Sequence, residues 1–188
     1  MNPFPTINCL AFVAYSGARI VDGAWYVTGQ PSTPAYAAIA AAGIKAVVCV
    51  RQPGEPVAPP PVPPPPPFDT GEAAALAALH VSYTNIPITR TMTQAQFNIA
   101  ATQAAIAYLN AIAQGPGLIH CSTGDRASSV FAVALIGAGL SNTDAVSYAC
   151  NSLLLANSSM IALVQGYTYP NAEAERFRAA AAAALSRP

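Results

Sequence analysis

Charge is what this sequence has least of. Eight basic and eight acidic side chains leave charged residues at 9% of 188, with a formal net charge of zero; an average soluble domain has roughly a quarter. Lys45 is the single lysine. So few cations cannot form the basic face that a phosphodiester backbone requires, which argues against a nucleic-acid partner. Long hydrophobic runs are also missing. Apolar residues make up 53% of the chain, yet no stretch is long and continuous enough for a bilayer-spanning helix. Much of the surplus is alanine, which suits closely packed helices. The four cysteines, Cys9, Cys49, Cys121 and Cys150, are too few and too scattered for a disulfide scaffold. No CxxC pair or His/Cys cluster has zinc spacing, so neither a structural metal nor a cofactor is expected. The first residues carry an apolar patch from Cys9 to Tyr15 but lack the basic start and small-residue cleavage site of a secretory signal. The cytoplasm is therefore the expected location, and the low charge content keeps export open.

What is present alternates between strand and helix signals. Trp25-Tyr26-Val27-Thr28 is a short strand candidate ending in Gly29-Gln30-Pro31. Thr33 is placed to cap a helix with Pro34 at its first position, and Gly43 stops it. Ile44 to Val50 is a nearly continuous apolar run, as in a strand buried on both faces. From Pro53 to Pro67, ten of fifteen residues are proline, which dictates an extended, polyproline-like loop. Such a loop is either a spacer or a ligand for a polyproline-reading partner. A short helix is expected over Gly71–Leu79 and a strand over Val81–Ile88. Thr93 and Gln96 form a capping box for a long helix to about Ala113. Leu118-Ile119-His120 is a strand delivering Cys121. Helices are then expected from Arg126 to Ala138, from Ser141 to about Ala156, and from Asn171 onward.

This order predicts a single-domain α/β layered fold, with a central, mostly parallel sheet of about four to five strands flanked by helices. The domain would span 22–188, include the proline-rich loop at 53–67, and follow an N-terminal extension at 1–21.

The chemistry concentrates in His120-Cys121-Ser122-Thr123-Gly124-Asp125-Arg126. A strand, a glycine-containing turn and a helix start together form an anion site, because free amides and the helix dipole converge on the turn. The same field favours the thiolate form of Cys121. Arg126 offers a planar fork for two phosphate oxygens and for transition-state charge. A nucleophile, an amide cradle and an arginine within six residues are what covalent phosphoryl transfer to sulfur requires.

The loop resembles that of the cysteine-based tyrosine phosphatases, whose signature is His-Cys, five residues, then Arg; here four residues separate Cys121 from Arg126. The shorter spacing is similar to an atypical bacterial group of tyrosine-phosphatase-like domains, some fused to beta-lactamase-like hydrolases. Gly29-Gln30-Pro31, Ala41-Ala42-Gly43, Val47-Val48-Cys49-Val50, Arg51 to Glu55, Ile86-Pro87 and Gly115-Pro116 match that group in order, over about residues 22 to 150.

The resemblance implies a tyrosine-phosphatase-like fold and a phosphoric-monoester hydrolase of the protein tyrosine or dual-specificity type, acting on a phosphorylated protein or small molecule. Cys121 would be the nucleophile and Arg126 the phosphate ligand, with Ser122, Thr123, Gly124 and Asp125 supplying loop amides. His120 would support the loop and tune the thiolate, or else be a satisfied core histidine.

Two features depart from the superfamily. Ala127 stands where many relatives place a hydroxyl, and Ser128 follows one place later as either a leaving-group helper or helix surface. Ile88 to Met92 holds no carboxylate for the general acid. That leaves Asp125 as the local substitute, as in the myotubularin-like lipid phosphatases, or as a plain helix-start charge; Asp69 and Glu72 are remoter choices. A pair between Arg51 and Glu55 is expected to be structural. Two rival functions share the loop: a rhodanese-like sulfurtransferase, and an idle phosphate-binding module acting through its proline-rich loop.

Overall fold

A computed structural model of the chain describes residues 6–8, 19–21, 25–31, 33–55 and 71–186. Cys9, Asp69 and the proline-rich stretch from residue 56 lie outside the described residues.

Six strands form one sheet: β1 (Thr6–Asn8), β2 (Arg19–Val21), β3 (Trp25–Thr28), β4 (Ala46–Cys49), β5 (Ser82–Asn85) and β6 (Gly117–His120), in the order β1-β2-β3-β6-β4-β5. The four strands from β3 to β5 are parallel, as expected of apolar runs covered on both sides. The four parallel strands are the expected central sheet, and β1 and β2 add an antiparallel margin, making six strands among the described residues. Three-residue strands carry too little alternation to be read from sequence.

Along each parallel strand the side chains alternate between two cores. Tyr26, Val47 and Leu118 face α1 (Thr33–Ala41) and α2 (Glu72–Ala78). Val27, Val48 and Ile119 face a larger core that includes α3 (Gln94–Gln114) and α4 (Asp125–Gly137). α5 (Asn142–Ser152), α6 (Ser158–Gln165) and α7 (Ala174–Leu185) contribute to that second core from behind. No helix among the described residues is long and apolar enough to cross a membrane.

Local signals place most helix ends. Thr93 accepts from the Gln96 amide while the Gln96 side chain accepts from the Thr93 amide, completing the capping box. The first helix opens at Thr33, not Pro34. The greater departure is at α5, expected to run to about Ala156. It ends at Ser152, and a separate α6 starts after Asn157, whose side chain accepts from the Met160 amide. The break is held from outside: Ser128 Oγ accepts from the Leu154 amide, and Asp125 Oδ1 accepts from those of Ala156 and Asn157.

Candidate active site

β6 lies between β3 and β4, so its C-terminal end opens at the carboxyl edge of the parallel strands, where ligands of α/β sheets bind. The chain leaves His120, turns through Cys121 to Gly124 and enters α4 at Asp125. Cys121 is fully buried, and its Sγ accepts from the Gly124 amide at 3.1 Å. Gly124 is required there twice over. Its φ is +94°, and a Cβ would meet Leu154 Cδ1 at 2.2 Å.

The Gly29-Gln30-Pro31 turn braces the loop from β3. The Gln30 amide donates to the Ser122 carbonyl at 3.0 Å. A Cβ at Gly29 would stand 3.0 Å from that same oxygen, so glycine is needed for close approach.

Arg126 does not project freely into solvent. Its Nη1 donates to Glu55 Oε2 at 2.7 Å and to the Ile88 carbonyl at 3.0 Å, and its Nη2 donates to Glu55 Oε1. Burial would lower the guanidinium's proton affinity, but the Glu55 hydrogen bonds and the charge of neighbouring Cys121 outweigh it and raise the pKa. Burial likewise pushes Glu55 up, and the bonds and charge of Arg126 bring it below the ordinary carboxylate range. Glu55 is therefore an ionised clamp. It also lies 3.8 Å from Arg51 Nε, the expected structural pair, while Arg51 Nη2 donates to the Glu55 carbonyl and Nη1 to Gln30 Oε1.

The structure sorts the remaining residues by side-chain direction. Ser122 is half-buried and Thr123 exposed on the loop. Asp125 is buried, with Oδ1 taken by the Ala156 and Asn157 amides and Oδ2 3.4 Å from Arg90 Nη2. This geometry speaks for an anchor between loop and α6, not for an acid aimed at a leaving group. Ser128 is buried against the Leu154 amide, so it too serves that anchor and not the sulfur. Ala127 is buried in the larger core. His120 is fully buried, with Nε2 3.1 Å from Glu72 Oε1. Glu72, a remoter choice for the acid, is thereby committed to His120 and to Gln30, which donates to its Oε2 at 3.2 Å.

Sequence reasoning missed Glu55 as the partner of Arg126 and Gln30 as the brace of Arg51 and Glu72. The Arg51-to-Glu55 spacing was a visible signal, but it pointed to a local pair only.

The sequence matches no protein-family model and no curated protein. Solved structures match its fold. P. aeruginosa TpbA aligns with a TM-score of 0.64 at 17% identity, over 96% of this chain and 98% of that one. The core catalytic domain of the PP-IP phosphatase SIW14 from S. cerevisiae aligns at 0.58 and 16%, over 82% and 86%. PTPMT1 aligns at 0.54 and 14%, over 88% and 97%. The α/β fold is thus that of tyrosine-phosphatase-like proteins.

Proposed function

We propose that this chain is a cysteine-dependent phosphatase that hydrolyses phosphoric monoesters through a phosphocysteine at Cys121. The observation that carries the reading is the pair of groups on one sulfur: the Gly124 amide donates to Cys121 Sγ while the guanidinium of Arg126, clamped by Glu55, lies beside it. The thiolate attacks phosphorus, forming the S–P bond as the ester O–P bond breaks; water then cleaves S–P and releases inorganic phosphate. Arg126 and the loop amides hold the equatorial oxygens and their growing charge. No carboxylate lies in Ile88 to Met92, Asp125 is tied to α6, and Glu55 is held ionised. Among the described residues these carboxylates are all otherwise engaged, so water is the proton source this reading assigns to the departing oxygen, which favours substrates with good leaving groups such as aryl phosphates.

A tyrosine or dual-specificity range is supported by the neighbours. TpbA has been solved in complex with phosphotyrosine and PTPMT1 in complex with PI(5)P. The atypical bacterial group remains our family assignment on the strength of the short Cys-to-Arg spacing and the Gly29-Gln30-Pro31 turn that braces the loop.

The test is turnover of an aryl phosphate by the purified chain. Cys121→Ser should abolish it, a loss of several powers of ten, because a serine hydroxyl stays protonated in this site. Binding of a phosphate analogue should survive. Thiocyanate production from thiosulfate without phosphatase activity would establish the sulfurtransferase instead. Retention of more than about a tenth of the wild-type rate in Cys121→Ser would exclude the covalent mechanism.

A further inference from the structure

On the α1/α2 side of the sheet, away from the larger core, lies a second polar centre that the proposed reaction does not use. The register pairs Thr28, His120 and Cys49 abreast on β3, β6 and β4, so their side chains point to the same face. Glu72, the first residue of α2, is set against them. Ligand atoms of Cys49, Glu72 and His120 all lie within 4.8 Å of one another, and all three residues are buried. We propose that Cys49, Glu72 and His120 form a binding site for one divalent transition-metal ion, zinc being the best match.

The hydrogen-bonding pattern is the main argument. His120 Nε2 and Glu72 Oε1 approach to 3.1 Å, yet neither meets the alignment of a good hydrogen bond, and His120 Nδ1 does not either, although Cys49 and Glu72 both act on the imidazole. A buried pair at contact distance but out of line is costly as a hydrogen bond. As two ligands of one ion it is expected, since tetrahedral zinc with bonds near 2 Å separates nitrogen and oxygen ligands by roughly 3.3 Å. The Thr28 hydroxyl, in the same row, is buried and likewise lacks a partner. It suits a hydrogen bond to water in the fourth position.

The surroundings hold the ligands in place as metal sites require. Gln30 Nε2 donates to Glu72 Oε2 at 3.2 Å, and Arg51 Nη1 orients Gln30 through Oε1 at 2.8 Å. The Arg51 amide approaches Cys49 Sγ at 3.5 Å, as backbone amides do to thiolates. Charge agrees: a thiolate, a carboxylate and a neutral imidazole balance a divalent cation. A thiolate and an imidazole select zinc or its spectroscopic substitute cobalt over magnesium or calcium. Because His120 immediately precedes Cys121, the ion would pin the strand end from which the anion loop springs. The proposal stands independently of the phosphatase reading.

The test uses the full chain, stripped with a chelator and titrated with Co²⁺ alone, in a Cys121→Ser background that removes the other buried free thiol among the described residues. One equivalent should bind with a thiolate-to-cobalt charge-transfer absorption that Zn²⁺ abolishes. Adding Cys49→Ser should eliminate the absorption, and adding Glu72→Gln should weaken cobalt binding at least about tenfold. No absorption in the Cys121→Ser background, or absorption that survives Cys49→Ser, would overturn the site. Should Cys49→Ser fail to fold by circular dichroism, Glu72→Gln decides, and unchanged affinity there overturns the proposal.

Discussion

The carboxylate of Glu55 grips the guanidinium of Arg126 with two hydrogen bonds across 71 residues of chain. The pair joins the loop that follows β4 to the start of α4. It holds the guanidinium beside Cys121.

The clamp has a kinetic consequence. Glu55→Gln keeps the shape of the side chain but loses the charge that orients Arg126, and misplacing such a group costs roughly ten- to a hundredfold. We expect kcat/KM on an aryl phosphate to fall by that factor, as read in steady-state assays. Unchanged kinetics would mean that substrate, not Glu55, positions the arginine.

The same pair predicts an acid-side stability effect. Because Glu55 is held below its ordinary pKa, its contribution is fully present above the unfolded value of about 4.3 and disappears as pH falls through the folded value. Urea unfolding of the wild type and of Glu55→Gln should therefore differ near neutrality and converge as the medium is acidified below about pH 4. A difference that does not vary with pH would show that the effect is packing, not ionisation.

At Gly124, alanine meets both a left-handed backbone and Leu154. The backbone cost is about 1–3 kcal/mol, and the contact with Leu154, a partly exposed side chain whose end can move aside, adds a smaller amount. Thermal melts of Gly124→Ala should show this loss. Adding Leu154→Ala should return the crowding part and leave the backbone part. Full recovery in the double variant would deny the role of φ.

Asp125 is testable by leaving-group chemistry. With Oδ1 bonded to the Ala156 and Asn157 amides, Asp125→Asn should change turnover of phosphotyrosine and of para-nitrophenyl phosphate by the same factor. Asp125→Ala should reduce stability by about 1–3 kcal/mol through the lost anchor. A selective loss of roughly 10²–10⁴-fold on phosphotyrosine would restore Asp125 as the general acid.

Much of this protein was legible in one dimension. The capping box at Thr93 and Gln96, the apolar run into β4, the Gly115-Pro116 break and the Cys121-to-Arg126 loop are short-range features. Each is decided by a few neighbouring residues through backbone geometry and periodicity. Tertiary structure alone decided where polar side chains ended up. It sent Asp125 and Ser128 to the α5–α6 break and joined Glu55 to Arg126. It also set Cys49, Glu72 and His120 together, although their sequence spacing resembles no metal motif. The physical reason is that a strand or helix signal repeats along the chain, whereas the partner of a buried charge is chosen by strand order and register. Those are settled by burial of the two cores on either side of the sheet.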